Sequence, residues 1–71
     1  MKILISELGR EKKNVVFLVS DRLTPEQIAK ILVERSTGYL ISRYIWATWD
    51  SQTLKGSVFA GFHCVGKAMA I

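Results

Sequence analysis

The sequence predicts a single small α+β domain, in which one helix packs on an antiparallel sheet in the order β-β-α-β-β. Segments rich in β-branched and aromatic residues lie on both sides of one strongly marked helix. A chain of 71 residues has room for only one hydrophobic core, so residues 1–71 are interpreted as one domain. The hydrophobic fraction of 49% and the charged fraction of 23% are typical of globular proteins and exclude a disordered chain.

The first two strands are predicted to form a β-hairpin. Residues 2–8 alternate partly between apolar and polar side chains, and residues 15–19 are apolar and mostly β-branched. A short polar loop, residues 9–14, joins the two runs, as expected for a hairpin. Three cations lie in this loop: Arg10, Lys12 and Lys13.

The helix has the clearest local signal in the chain. Thr24 can cap a helix that begins at Pro25, where the missing N–H costs nothing, and Gln27 can complete a capping box. Apolar residues then recur at helical spacing: Ile28, Ile31 and Leu32. The pattern predicts a helix over residues 25–37, ended by Gly38 in the left-handed conformation.

Residues 39–49 are compatible with a strand or a helix. Their apolar residues fall at a helical spacing, but two Tyr, two Trp, two Ile and one Thr in this segment favour a pleated sheet. Because Gly38 is a stop signal for the helix, we favour a strand. Alternation then places Arg43 on one face and both Tyr44 and Trp46 on the other.

A fourth strand is predicted from Thr53 to about Gly66, after a turn at residues 50–52. In this strand Phe62 and Cys64 share one face, whereas Phe59 and His63 share the opposite face. Glycines at positions 56, 61 and 66 weaken the strand and are typical of bulges.

The residues do not favour catalysis. His63 and Cys64 are the only histidine and the only cysteine, and neighbours on a strand point to opposite faces, so we expect no thiol–imidazole pair. We interpret Cys64 as a core residue. One histidine and one cysteine fall short of a tetrahedral metal site within one chain, although a site shared across a symmetric dimer stays open. We expect no enzyme, no cofactor and no metal centre.

The lone cysteine excludes an internal disulfide and favours a reducing compartment. The N-terminal segment lacks the apolar core of a signal peptide, and no run approaches the roughly 18 to 20 apolar residues that span a bilayer. We therefore expect a cytoplasmic protein that has no membrane partner.

Charge and aromatic residues favour a nucleic-acid-binding module. Ten Lys and Arg against six Asp and Glu give a net charge of +4, which favours anionic partners. Cations of the hairpin loop can contact phosphates without base recognition, and nearby rings can stack on bases as in single-strand binders. The predicted site comprises Arg10, Lys12, Lys13, Arg43, Tyr44 and Trp46. The alternative is that the loop is merely solvated and the rings belong to the core.

A helix-turn-helix motif is a second way to bind nucleic acid. Residues 27–37 resemble its first helix and turn, so that Tyr39, Ser42 and Arg43 would lie on the recognition helix. However, β-branched Val33 stands where the tight turn usually has glycine, which would strain the backbone there. We favour a helix–strand junction.

The apolar strands predict a partner for one face of the sheet. One helix covers one face only, whereas residues 15–19 and 58–65 carry apolar side chains on both faces. We expect a two-fold homodimer to cover the second face, unless the C-terminal segment folds back over it. The predicted interface comprises Phe17, Val19, Phe59 and Phe62. Alternatively, this face or a strand edge binds another protein, as in an adaptor or an inhibitor encoded by a phage or mobile element.

Overall fold

The chain folds into one antiparallel sheet with one α-helix across it. The structure is a computed structural model, and it describes residues 1–41 and 44–71. Within these residues the elements are β1 (Lys2–Leu8), β2 (Lys13–Leu18), α1 (Pro25–Ser36), a 3₁₀ turn (Thr37–Tyr39), β3 (Ile45–Asp50), β4 (Lys55–Ala60) and β5 (His63–Ala70). Neighbouring strands are antiparallel in the order β2-β1-β5-β4-β3. The α+β class and the β-β-α-β-β order are confirmed, and a turn divides the last predicted strand into β4 and β5.

Helix α1 begins where the capping signal predicts. The Thr24 hydroxyl accepts a hydrogen bond from the Gln27 backbone N–H at 3.2 Å, and the Gln27 side chain accepts one from the Thr24 N–H at 2.9 Å. This capping box satisfies two donors that no helical carbonyl can reach. Pro25 occupies the first turn, where it removes no helical hydrogen bond.

The end of the helix differs from the prediction. Gly38 does not adopt the left-handed conformation, because the chain continues directly into the 3₁₀ turn. The Thr37 hydroxyl donates to the Val33 carbonyl at 2.7 Å, which satisfies one of the last helical acceptors. Beyond this turn Leu40 is extended and β3 begins at Ile45, so the described residues contain no recognition helix. The helix-turn-helix interpretation is therefore wrong.

The core lies between α1 and one face of the sheet. Residues in register on adjacent strands share a face, and alternate positions of each strand point toward the helix. The buried apolar residues are Ile3, Ile5, Leu8, Phe17, Ile28, Leu32, Trp49, Val58 and Ala68. Gly56 is required on this face, because a Cβ atom there would clash with the Thr48 carbonyl oxygen. No helix of the described residues is both long and apolar enough to cross a membrane.

Two residues assigned to the dimer interface lie on the helix side of the sheet. Phe17 pairs with Ile3, is 8% exposed and belongs to the core, and Val19 packs partly buried against that core. The prediction that Phe17 faces outward is wrong. Because every residue of 15–19 is apolar, alternation alone does not indicate which side faces solvent.

Residues 53–66 form parts of two strands and not one. Gly61 takes a positive φ of 62° between β4 and β5, a conformation that glycine adopts without a steric penalty. The chain therefore reverses at Phe62, and Cys64 pairs with Phe59. Cys64 and Phe59 share a face, contrary to the prediction, and Cys64 is exposed and not a core residue.

Candidate nucleic-acid interface

The candidate site lies on the face of the sheet opposite α1, which we call the open face. Residues that are paired across neighbouring strands form a row and point to the same face, so the pairing identifies the residues of the open face. They are Lys2, Leu4, Ser6, Val16, Leu18, Trp46, Thr48, Asp50, Lys55, Ser57, Phe59, Cys64, Lys67 and Met69. The face is chemically divided, since its apolar side chains cluster at two opposite corners.

One corner holds two stacked aromatic rings. Trp46 on β3 and Phe59 on β4 are paired across the strands, with ring centroids 4.2 Å apart and planes 12° from parallel. The indole N–H of Trp46 donates to the Gly61 carbonyl at 2.9 Å, so a second contact fixes the ring. Trp46 is nevertheless 44% exposed. This corner is a rigid aromatic surface that solvent reaches, and we call it the aromatic stack.

The opposite corner is aliphatic. Val16 and Leu18 of β2 are exposed, and Met69 of β5 lies in the row that also contains Leu4. A polar row separates the two corners and forms the floor of a shallow depression of about 480 Å³. The row consists of Ser6, Lys67, Ser57 and Thr48.

The hairpin loop between β1 and β2 lies at the same end of the sheet as the aromatic stack. The Gly9 N–H donates to the Val65 carbonyl at 3.0 Å, which ties the loop to the start of β5. At the same end, the Gly61 N–H donates to the Tyr44 carbonyl at 2.8 Å. Loop, β5 and 3₁₀ turn together line a cleft of about 750 Å³.

The cleft is lined by more cations than carboxylates. Four of its charged lining residues are cations (Arg10, Lys12, Lys13 and Lys67), and two are carboxylates (Glu7 and Glu11). The Lys13 ammonium lies 3.5 Å from a Glu11 carboxylate oxygen, and because both side chains are well exposed this pair contributes little to stability.

The backbone of the hairpin loop and its flank takes two uncommon conformations. Glu7 and Lys12 have positive φ values of 54° and 51°, which are unfavourable for residues other than glycine or asparagine.

The positive charge is unevenly distributed along the chain. The helical segment, residues 20–39, contains three acidic and three basic residues and is neutral. The remaining residues therefore carry the whole net charge of +4. Without Arg43, which lies outside the described residues, the strands and hairpin loops carry a net charge of +3, so they attract anionic ligands more strongly than the neutral helical segment does.

Most of the predicted nucleic-acid residues lie at one end of the sheet. Arg10 and Lys12 are exposed in the loop, Lys13 is exposed at the first position of β2, and Tyr44 and Trp46 are exposed at the start of β3. Arg43, the sixth predicted residue, lies outside the described residues.

Two members of this group, Phe59 and Lys67, were not predicted from the sequence. Phe59 was assigned to the dimer interface and not to the aromatic surface, and Lys67 was assigned to no site. The signal that would have found them is Gly61, because a glycine between two apolar runs also marks a hairpin turn, which brings Phe59 beside Cys64.

The described residues contain no group of three or more His, Cys, Asp or Glu side chains that could hold a metal ion. No protein-family model matches the chain, and no curated protein or solved structure matches it either. Function is therefore inferred from the residues and their arrangement.

Proposed function

We propose that this chain is a small non-enzymatic module that binds nucleic acid in a reducing, cytoplasmic setting. The observation that carries the proposal is the common location of a cation-lined cleft and an exposed aromatic stack at one end of the sheet. Cations contact phosphates and rings stack on bases, and proteins that bind nucleic acid without sequence preference combine these two contacts.

The hairpin loop supports the phosphate half of this proposal. Arg10 and Lys12 are exposed in the loop and Lys13 is exposed where β2 begins, while the helical segment is neutral.

The exposed thiol supports the proposed compartment. Cys64 is the only cysteine, and it lies on the open face with no second thiol to pair with. Free exposed thiols persist in reducing compartments and are oxidised elsewhere.

A charge-matched pair of variants tests the proposal. Arg10→Gln/Lys12→Gln removes one arginine and one lysine from the loop, and Arg22→Gln/Lys30→Gln removes the same residue types from the helical segment. Each phosphate contact contributes about −0.9 to the slope of log K against log salt concentration, so the loop variant should flatten that slope by up to about two. The helix variant should leave the slope nearly unchanged. Affinity for labelled DNA and RNA is measured by fluorescence anisotropy across a salt series.

Two results would contradict nucleic-acid binding. The first is a wild-type protein that binds neither DNA nor RNA at low salt. The second is an equal effect of both variants, which would assign the binding to general charge and not to the loop.

The aliphatic corner of the open face favours a second candidate function, a protein interaction. Leu18 is 73% exposed and Val16 is 52% exposed, and such clustered apolar surface is typical of protein interfaces. The simplest occupant is a second copy of the chain related by two-fold symmetry, and an adaptor or inhibitor role would use the same surface. Phe59 and Phe62, which were also predicted for the interface, lie at the other end of the sheet, in β4 and the turn that follows it, so a dimer through the aliphatic corner does not require them. Sedimentation equilibrium at micromolar concentration tests the homodimer, and a mass of one folded chain would exclude it.

A further inference from the structure

We infer that the aromatic stack of Trp46 and Phe59 binds nucleobases, and that the chain therefore prefers single-stranded nucleic acid to duplex. This inference rests on the proposed function, since it names the class of nucleic acid that the same end of the sheet accepts. The cation-lined cleft can contact any nucleic acid, because phosphates are exposed in all of them. The two neutral rings can stack only on unpaired bases, because base faces are exposed only there.

The geometry of the stack leaves room for a base. Trp46 and Phe59 are nearly parallel at a centroid separation of 4.2 Å, so each ring covers only one face of the other. Trp46 belongs to β3, which is an edge strand, and no described strand lies beyond it. Trp46 is 44% exposed, and a flat nucleobase can continue the stack on the face of the indole that Phe59 does not cover.

The stack is also ordered before any ligand arrives. The Trp46 indole N–H is bonded to the Gly61 carbonyl at 2.9 Å, and the Gly61 N–H is bonded to the Tyr44 carbonyl at 2.8 Å. The first bond holds the indole on the turn, and the second ties that turn to the residue that precedes β3. A pre-ordered ring loses little conformational entropy on binding, which favours affinity.

Cations on the same side of the sheet provide a path for the phosphates. Lys67 pairs with Ser57, one row from Phe59 on the open face, and it also lines the cleft that contains Arg10 and Lys12. Four strand spacings separate β3 from β2, which is about 19 Å. A single strand can therefore stack a base on Trp46 while its backbone passes Lys67 toward the loop.

The two ligand classes are compared directly with the intact chain. Probes are a labelled oligothymidylate of about ten nucleotides and a hairpin duplex whose stem has the same length, both measured by fluorescence anisotropy at low salt. We expect the wild-type protein to bind the single strand roughly tenfold more tightly or better, because stacking on an aromatic ring contributes about that factor or more per base.

Three variants separate stacking from charge and from folding. Trp46→Leu should lose about tenfold in affinity for the single strand and little for the duplex. Trp46→Phe keeps a ring at this position and should retain most of the preference, which also controls for loss of the indole hydrogen bond. Leu18→Ala alters the aliphatic corner of the same face and should bind like the wild type. Circular dichroism verifies that each variant is folded.

The outcomes distinguish this inference from the proposed function. Equal affinity of the wild-type protein for both probes, or full single-strand affinity in folded Trp46→Leu, would overturn the stacking role and leave electrostatic binding intact. Failure of the wild-type protein to bind either probe would overturn the proposed function and this inference together.

Discussion

The two faces of the sheet are built from alternating residues of the same strands, yet they differ in what covers them. Ile3 and Phe17 face α1 and are buried, whereas Val16 and Leu18, their neighbours along the chain, are exposed on the open face. All of β2 from Val15 onward is apolar. Apolar character alone therefore does not define the core of so small a domain. The position of the single helix defines it.

The two tryptophans of β3 show the same contrast. Trp46 lies on the open face and its indole N–H has a carbonyl acceptor, whereas Trp49 is 7% exposed and its indole N–H has no hydrogen-bond partner among the described residues. The Ser36 hydroxyl is also buried without a partner among those residues. Each such group costs on the order of 1–3 kcal/mol. The buried layer between α1 and the sheet therefore contains two polar groups without a partner among the described residues, whereas the exposed indole of Trp46 has its hydrogen bond.

The largest expected effect comes from placing the same charge on each face of β2. Phe17→Lys should prevent stable folding, because loss of a buried aromatic ring costs about 3–5 kcal/mol and the ammonium must also be desolvated. It removes in addition the ring under the Arg35 guanidinium, 5.4 Å away. Leu18→Lys should change the free energy of unfolding by about 0.5 kcal/mol or less in the monomer. Urea denaturation followed by circular dichroism measures both, and similar losses would show that the faces are not distinct.

A smaller effect is expected where β3 and β4 pack closely on the face of the sheet that α1 covers. Gly56→Ala places a Cβ against the Thr48 carbonyl oxygen and 3.0 Å from the Trp49 ring, so β3 and β4 must separate locally. We expect a loss of about 1–3 kcal/mol in unfolding free energy. Gly38→Ala is the control, since its Cβ meets no atom within 4 Å, and it should be neutral or stabilise by about 0.4–1 kcal/mol. Thermal melts that rank the two variants in the opposite order would contradict the strand packing.

The smallest expected effect concerns the buried hydroxyl of Ser36, the last residue of α1. Ser36→Ala removes a buried hydroxyl that has no partner among the described residues and adds a residue of higher helix propensity. We expect stabilisation of about 0.5–1 kcal/mol, read as a higher urea midpoint with an unchanged m-value. Ser57→Ala on the open face is the control and should change little. Destabilisation by Ser36→Ala would show that the hydroxyl is bonded in solution.

Much of the candidate site was accessible from the sequence. The loop cations and the rings of Tyr44 and Trp46 were selected from residue type and position, and the structure locates them at one end of the sheet. Phe59 was predicted on the opposite face from Cys64, its actual partner, because the turn at Gly61 was interpreted as a bulge within one strand. Both interpretations satisfy the local pattern, since a glycine between two apolar runs is compatible with either.

Features that depend on neighbouring residues were predictable from the sequence. The start of α1 follows from Thr24, Pro25 and Gln27, whose hydrogen bonds and fixed φ act within one helical turn. The first hairpin and the net charge of +4 are similarly local or additive properties. Such signals operate in any chain that contains these residues, so no knowledge of the fold is needed to recognise them.

Long-range packing set which face of each strand became the core and which rings became neighbours. β1 and β5 pair although they lie at opposite ends of the chain, and Trp46 meets Phe59 only because β3 and β4 are in that register. A shift of one residue would exchange the two faces without changing a local preference. The physical reason is that burial is set by which element covers a surface, and here one helix covers one face of a sheet that carries apolar side chains on both faces.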